Sequence, residues 1–212
     1  MNDDAVNGRG KRRGAQARAT RRRIIDAAGA LFVERGYPAT TLGDIAERAG
    51  VAVQTVYFHF GNKRTVLRHA LDVAAVGDDR PVALLERPWM DEVRAEPDPR
   101  RMVALWVRGG RDIFVRVAPI MAVVRDAAAL DHEVAEQWRT NEQQRLVAFG
   151  TFAQLLADRG ALAPGMSVDE ATDIVFALNS IEVYLLLTVR RGWTPARWAR
   201  WLVSALEAAL LR

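Results

Sequence analysis

TTLGDIAERAGVAVQTVYFHFGNKRTVL, residues 40 to 67, is the stretch whose reading decides the fold of this chain. Thr41-Leu42-Gly43-Asp44 has the form of a capping box with Asp in place of Glu, which starts a helix. Ile45, Ala46 and Ala49 then share one face, and Gly50 offers a left-handed stop. Val53 to Phe60 follows as a second short helix, with Val51, Val56 and Phe60 turned inward. Gly61-Asn62-Lys63 leads into a further helical segment, Arg64 to Val76. Upstream, Ile24, Ala27, Ala28, Leu31 and Phe32 recur at spacings of three and four, with Thr20 as N-cap and Gly36 and Pro38 as the stop. Three helices around a tight glycine-containing turn predict a helix-turn-helix.

The charge supports a polyanionic partner for this end. Residues 1–70 hold 13 Lys and Arg against 6 Asp and Glu, whereas residues 71–212 hold 17 against 20. Arg9, Lys11, Arg12, Arg13, Arg18, Arg21, Arg22 and Arg23 form a run that can neutralise phosphates and release counterions. Residues 1–18 alone read equally as a disordered basic arm. The start of the chain runs into no apolar stretch, so a secretory signal is not expected and the expected address is the cytoplasm. The most apolar segment, Ile174 to Val189, contains Asn179 and Glu182 and is shorter than the roughly 20 apolar residues of a membrane span. It reads as a buried helix, with no membrane partner.

Thr40-Thr41, Ile45-Ala46, Ala49-Gly50-Val51 and above all Thr55-Val56-Tyr57-Phe58-His59-Phe60 with Asn62-Lys63 resemble the DNA-binding domain of the TetR family of transcriptional regulators. The likeness covers roughly residues 20 to 70. It implies a DNA-binding domain at 19–70, after the arm at 1–18, and a helical ligand-binding and dimerisation domain at 71–212. A short helix from about Ala52 to Phe60 can lie in a major groove with its first side chains toward base edges. Gln54 can donate to or accept from a base, and Val53 can meet a thymine methyl. By the family pattern, Thr41, Thr55, Tyr57, His59 and Lys63 contact phosphates, Tyr57 sometimes a base. Tyr57 and Phe58 also read as core aromatics and His59 as a structural histidine; for Phe58 the core reading is preferred. Ala52 departs from the family, which often has Ser or another capping residue there, so this helix has no obvious side-chain N-cap.

The rest of the chain reads as helix after helix, with no alternating stretch that would make a strand, so the class is all-α. Asp98-Pro99 opens a helix reaching about Val117, and Pro119 starts another. Asp131 caps a helix to about Arg159, closed by Gly160. Ser167-Val168-Asp169-Glu170 is a full capping box for a helix ending near Arg191, and Thr194-Pro195 opens the last. In the helix after Ser167, Val168, Ala171, Val175, Leu178, Glu182, Leu185 and Val189 make one stripe, with more apolar surface than one packing face needs. Trp198, Trp201, Leu202, Ala205 and Ala209 do the same in the last helix. A homodimer through residues 167–212 is expected, with its two recognition helices on half-sites of a palindrome.

Met102, Trp106, Phe114, Met121, Trp138, Phe149, Phe152 and Tyr184 line a pocket or fill it, and Asn179 orients a ligand or bonds across an interface. The resemblance implies a repressor released by a small-molecule inducer, with the segment Arg64 to Val76 as the lever between domains. The alternative is a sequence-neutral DNA-compacting protein. An enzyme is not expected. The chain has no cysteine and only three serines, none in a G-x-S-x-G setting, and its three histidines are isolated. It contains no H-E-x-x-H or P-loop pattern, and neither a metal nor a cofactor is expected.

Overall fold

Gly36 interrupts the first helix by taking φ +78, a backbone conformation that side chains with a Cβ resist. That helix, α1 (Asp3–Ala39), is followed by α2 (Leu42–Ala49), α3 (Val53–Phe60) and α4 (Lys63–Val76). The computed structural model describes residues 3–76 and 84–212, with side chains for 14–75 and 85–212. Among these residues there are ten α-helices, one short 3-10 turn at Leu84–Glu86, one π-type turn, and no strand beyond one bridged pair, Leu162 and Leu211, so the class is all-α. The chain divides into two compact units, Met1–Val73 and Ala74–Arg212.

In the first unit, Ile24, Ala28, Leu31 and Phe32 of α1 are buried with Ile45 and Ala46 of α2, Val56 and Phe60 of α3, and Val66 and Leu67 of α4. Thr41 accepts from the Asp44 amide at 3.1 Å, and the Thr41 amide donates to the Asp44 carboxylate at 2.8 Å, closing the capping box. Gly50 stops α2 at φ +64. The break at Gly36 is held by Thr40, fully buried, whose hydroxyl donates to the Gly36 carbonyl at 2.8 Å and lies 3.3 Å from that of Leu31. Thr40→Val, nearly equal in shape, strands those carbonyls and should cost the head about 1–3 kcal/mol in chemical denaturation.

α1 starts at Asp3 and not at Thr20. The intervening segment is rich in Arg and Ala, good helix formers, and no proline interrupts it, so the helix continues through the expected cap. The side chains of Arg9, Lys11, Arg12 and Arg13 lie outside the described residues.

The second unit contains α5 (Pro88–Ala95), α6 (Pro99–Ala128), α7 (His132–Asp158), α8 (Val168–Leu178), α9 (Ile181–Leu185) and α10 (Pro195–Leu210). α6 packs on α7 and α7 on α8, and α10 closes the group by packing on both α6 and α8. Asp98, Asp131, Ser167 and Thr194 all cap their helices through side-chain oxygens, as their positions require.

Two expectations are corrected in this unit. Pro119 lies inside α6 rather than starting a new helix. By helical register the carbonyl it leaves without an amide partner is that of Val115, an exposed residue. The helix after Ser167 does not run on to Arg191 but breaks at Asn179. Ser180 caps the next segment by accepting from the Val183 amide at 3.2 Å, and α9 passes into a π-type turn over Leu186–Arg190. By length and composition alone Val168–Arg190 is apolar enough to cross a membrane. The break divides it, and only part of it is buried: Ala171, Val175, Ile181 and Tyr184 face the bundle while Leu186 and Val189 are exposed. Neither a wholly buried helix nor one unbroken stripe from Val168 to Val189 survives this phase change.

Candidate nucleic-acid interface

α3 is anchored by two residues and presents the others. Val56 is fully buried and Phe60 nearly so, spaced four apart on the inner side. Gln54, Tyr57 and Phe58, which share the opposite side at helical spacing, are exposed, Tyr57 by 55% and Phe58 by 86%. Val53, Thr55 and His59 flank this outer face and are half-buried. Phe58 is therefore not a core residue, contrary to the sequence reading. At the spacing of this helix Val56 and Phe60 already fill the inward arc, and Phe58 falls on the far side. For this residue the phase relative to Val56, and not the side-chain type, decides exposure.

α3 has no side-chain N-cap: Ala52 is extended and supplies only its carbonyl, which accepts from the Thr55 amide at 2.9 Å. Its neighbours are capped. The Asn62 side chain accepts from the Thr65 amide at 2.9 Å and starts α4. Lys63 donates to the Tyr37 carbonyl at 2.8 Å, with its ammonium 4.2 Å from the centre of the Tyr37 ring. Thr41 is exposed, but its hydroxyl is already engaged with Asp44 at 2.5 Å. This bond and the Thr41 amide, with Arg35 nearby, hold the Asp44 carboxyl below its usual range.

Arg21 is turned inward from the basic run. Its Nη2 donates to Nε2 of His69 at 3.0 Å, and the guanidinium lies 5.3 Å from the centre of the Phe60 ring. Arginine only donates, so His69 carries its proton on Nδ1, 3.8 Å from the Asp72 carboxylate. Burial first, then Arg21 and Arg68, hold the His69 imidazole below its ordinary value of 6.5. The unfolded chain thus takes up this proton before the folded one, and the head should lose stability as pH falls below about 6.5. Burial raises the Asp72 carboxyl, so Asp72 acts in the opposite sense, removing stability as pH rises past its ordinary value of 3.8. Melting curves between pH 5 and 7 should show the His69 slope, and His69→Gln should flatten it.

Of the residues expected around a ligand, the second unit gathers Trp106, Phe149 and Phe152 with Trp89 and Phe176 in one ring cluster, Trp106 stacked on Phe152 at 4.5 Å. Phe114 and Tyr184 belong to a second cluster around Trp198. Met102 and Met121 are buried on α6, and Asn179 is buried at the end of α8. Trp138 stands half-buried beside Arg145, a residue the sequence did not single out. Among the described residues no group of three acidic or histidine side chains is placed to hold a metal ion.

A short helix, capped neighbours, a two-residue anchor and an outward polar and aromatic face define the helix-turn-helix class. Residues 24–70 match the family model for bacterial regulatory proteins of the tetR family. The helix-turn-helix segment of this chain is thus of the type that this family model describes. It is 43% identical over 82 residues to the uncharacterized HTH-type transcriptional regulator TtgW of Pseudomonas putida, a match covering 35% of this chain and 58% of TtgW. The match thus spans little more than half of that relative. Over 174 residues it is 26% identical to the HTH-type transcriptional repressor BepR of Brucella suis, covering 79% of this chain and 80% of BepR. The crystal structure of NalD, the secondary repressor of the MexAB-OprM multidrug efflux pump in Pseudomonas aeruginosa, superposes with a TM-score of 0.67 at 25% identity, covering 93% of this chain and 98% of NalD.

Proposed function

We propose that this protein is a transcriptional repressor, acting in the cytoplasm as a homodimer on a palindromic operator and released by a small-molecule inducer. The observation that carries the reading is the outer face of α3, where Gln54, Tyr57 and Phe58 stand in solvent while Val56 and Phe60 fix the helix. Large exposed aromatics side by side on a basic head cost hydration unless something covers them. In a major groove Gln54 reads a base edge and Val53 packs on a thymine methyl. Thr41, Thr55, Tyr57, His59 and Lys63 hold phosphates and set the register. Phe58 adds an apolar contact to sugar or methyl groups. The likeness to the repressors BepR and NalD favours repression over activation.

Pairing through residues 167–212 is supported by apolar side chains that the single chain leaves uncovered. In α8 and the turn after α9, Ile174 and Leu178 are half-buried and Leu186 and Val189 exposed; in α10, Trp201 and Val203 are half-buried. Joined to the same two helices of a second chain, they form a four-helix bundle. An inducer would act by binding the DNA-incompetent arrangement more tightly.

Selection of bound DNA from a random pool tests the proposal: enrichment of one inverted repeat is the expected result. Recovery of the unselected pool at moderate salt would favour sequence-neutral compaction instead.

A further inference from the structure

Arg145 of α7 is held between two rings, its guanidinium carbon 5.5 Å from the centre of Trp138 and 5.2 Å from that of Phe176 on α8. Its Nε and Nη1 atoms are buried and have no hydrogen-bond partner among the described residues. A guanidinium stays a donor throughout the physiological range, so these N–H groups have left water without gaining an acceptor. Burial lowers the Arg145 guanidinium from its ordinary range, only partly opposed by Glu182 and Glu142, which favour its charge through space. Neither makes a hydrogen bond to it, and Glu182 has Arg125 at 3.7 Å. One more donor is stranded along the same aromatic wall. Nε1 of Trp106 is buried and unpartnered, and Trp106 meets Phe149, which in turn meets Phe176.

Donors without acceptors, a full positive charge and flat apolar flanks together specify what is missing: an acceptor-only anion carried on a planar apolar body. We infer that Arg145 is the recognition point for the carboxylate of an aromatic acid, whose ring lies against Trp138 and Phe176. This rests on the reading that the second unit takes a small molecule, and names its chemical class. A carboxylate suits the site better than a neutral carbonyl, because only a charged partner offsets the buried cation. A cationic ligand is excluded by the same charge.

The test is isothermal titration of the full chain with 1-naphthoate and with its neutral counterpart, 1-naphthamide. The chain should bind the acid about 10- to 100-fold more tightly than the amide, the worth of a charge-assisted hydrogen bond. R145Q should erase that preference while keeping its melting temperature, since it removes an unpaired buried charge. R145K, which keeps the charge and loses the planar fork, should retain only part of it, and carries the test alone if R145Q fails to fold. Equal binding of acid and amide, no binding of the acid at millimolar concentration, or an unchanged preference in both variants overturns the proposal. So does dissociation of dimers by R145Q in sedimentation with acid binding intact, which would place the missing acceptor on a second chain. Operator binding on the same samples separates the two readings: acid recognition without an operator preference fails only the repressor, and the converse fails only this site.

Discussion

Gln54→Ala is expected to erase most of the preference for the operator while leaving affinity for unrelated DNA nearly unchanged. A side-chain amide paired with an adenine edge contributes about 1–3 kcal/mol of discrimination. In a symmetric dimer each substitution counts twice, so the operator affinity should fall roughly 30- to 10⁴-fold. Lys63→Ala makes the contrasting case. Losing one phosphate contact per head weakens every sequence alike and lowers the salt dependence by about one unit per half-site. Part of that loss is local, because Lys63 also donates to the Tyr37 carbonyl at the break after α1. Gel-shift titrations against operator and scrambled DNA at two salt concentrations distinguish the outcomes. Equal losses on both DNAs for Gln54→Ala would remove it from base readout.

The second large effect is structural. Trp198 is fully buried, with Phe114 at 5.1 Å and the Tyr184 ring edge-on at 4.9 Å. Trp198→Ala leaves a cavity among rings that cannot collapse into it, and should cost about 3–5 kcal/mol. For a unit of this size that lowers its melting temperature by about 10 °C or more in calorimetry. Trp198→Phe should be much milder. The indole Nε1 is buried without a partner, so the change gives up volume but also removes an unsatisfied donor. If Trp198→Ala melted like the native chain, the α6–α10 contact would not be the core that closes the second unit.

Local hydrogen-bond chemistry made most of the fold legible in the sequence. The capping boxes at Thr41 and Ser167, the stops at Gly36 and Gly50, and the starts at Asp98, Asp131 and Thr194 each follow from one or two side chains near the chain's own amides. What escaped was decided by surroundings. Pro119 reads as a boundary until the long helix is seen to run on through it. Asn179-Ser180 is a stop and a cap in succession, hidden inside a run of apolar residues long enough to suggest one helix. For the candidate interface, the outward position of Gln54 and Tyr57 follows from helical phase relative to Val56 and Phe60, and the same phase puts Phe58 outside the core, where its side-chain type alone does not. Arg145 gave no signal at all, since an arginine in mid-helix reads as a solvated charge until two rings are found around it.

The turn over Leu186–Arg190 closes through wider rings than the helix before it, the Arg191 amide reaching the Leu186 carbonyl at 3.1 Å. Such a turn amounts to one residue more than a regular spiral would hold. Shortening the chain by one residue there, ordinarily ruinous within a helix, would let it tighten into the regular form while the turns on either side keep their places. The spare residue thus gives this stretch slack that no regular helix has: it is the place where a one-residue deletion is expected to leave the melting temperature nearly unchanged.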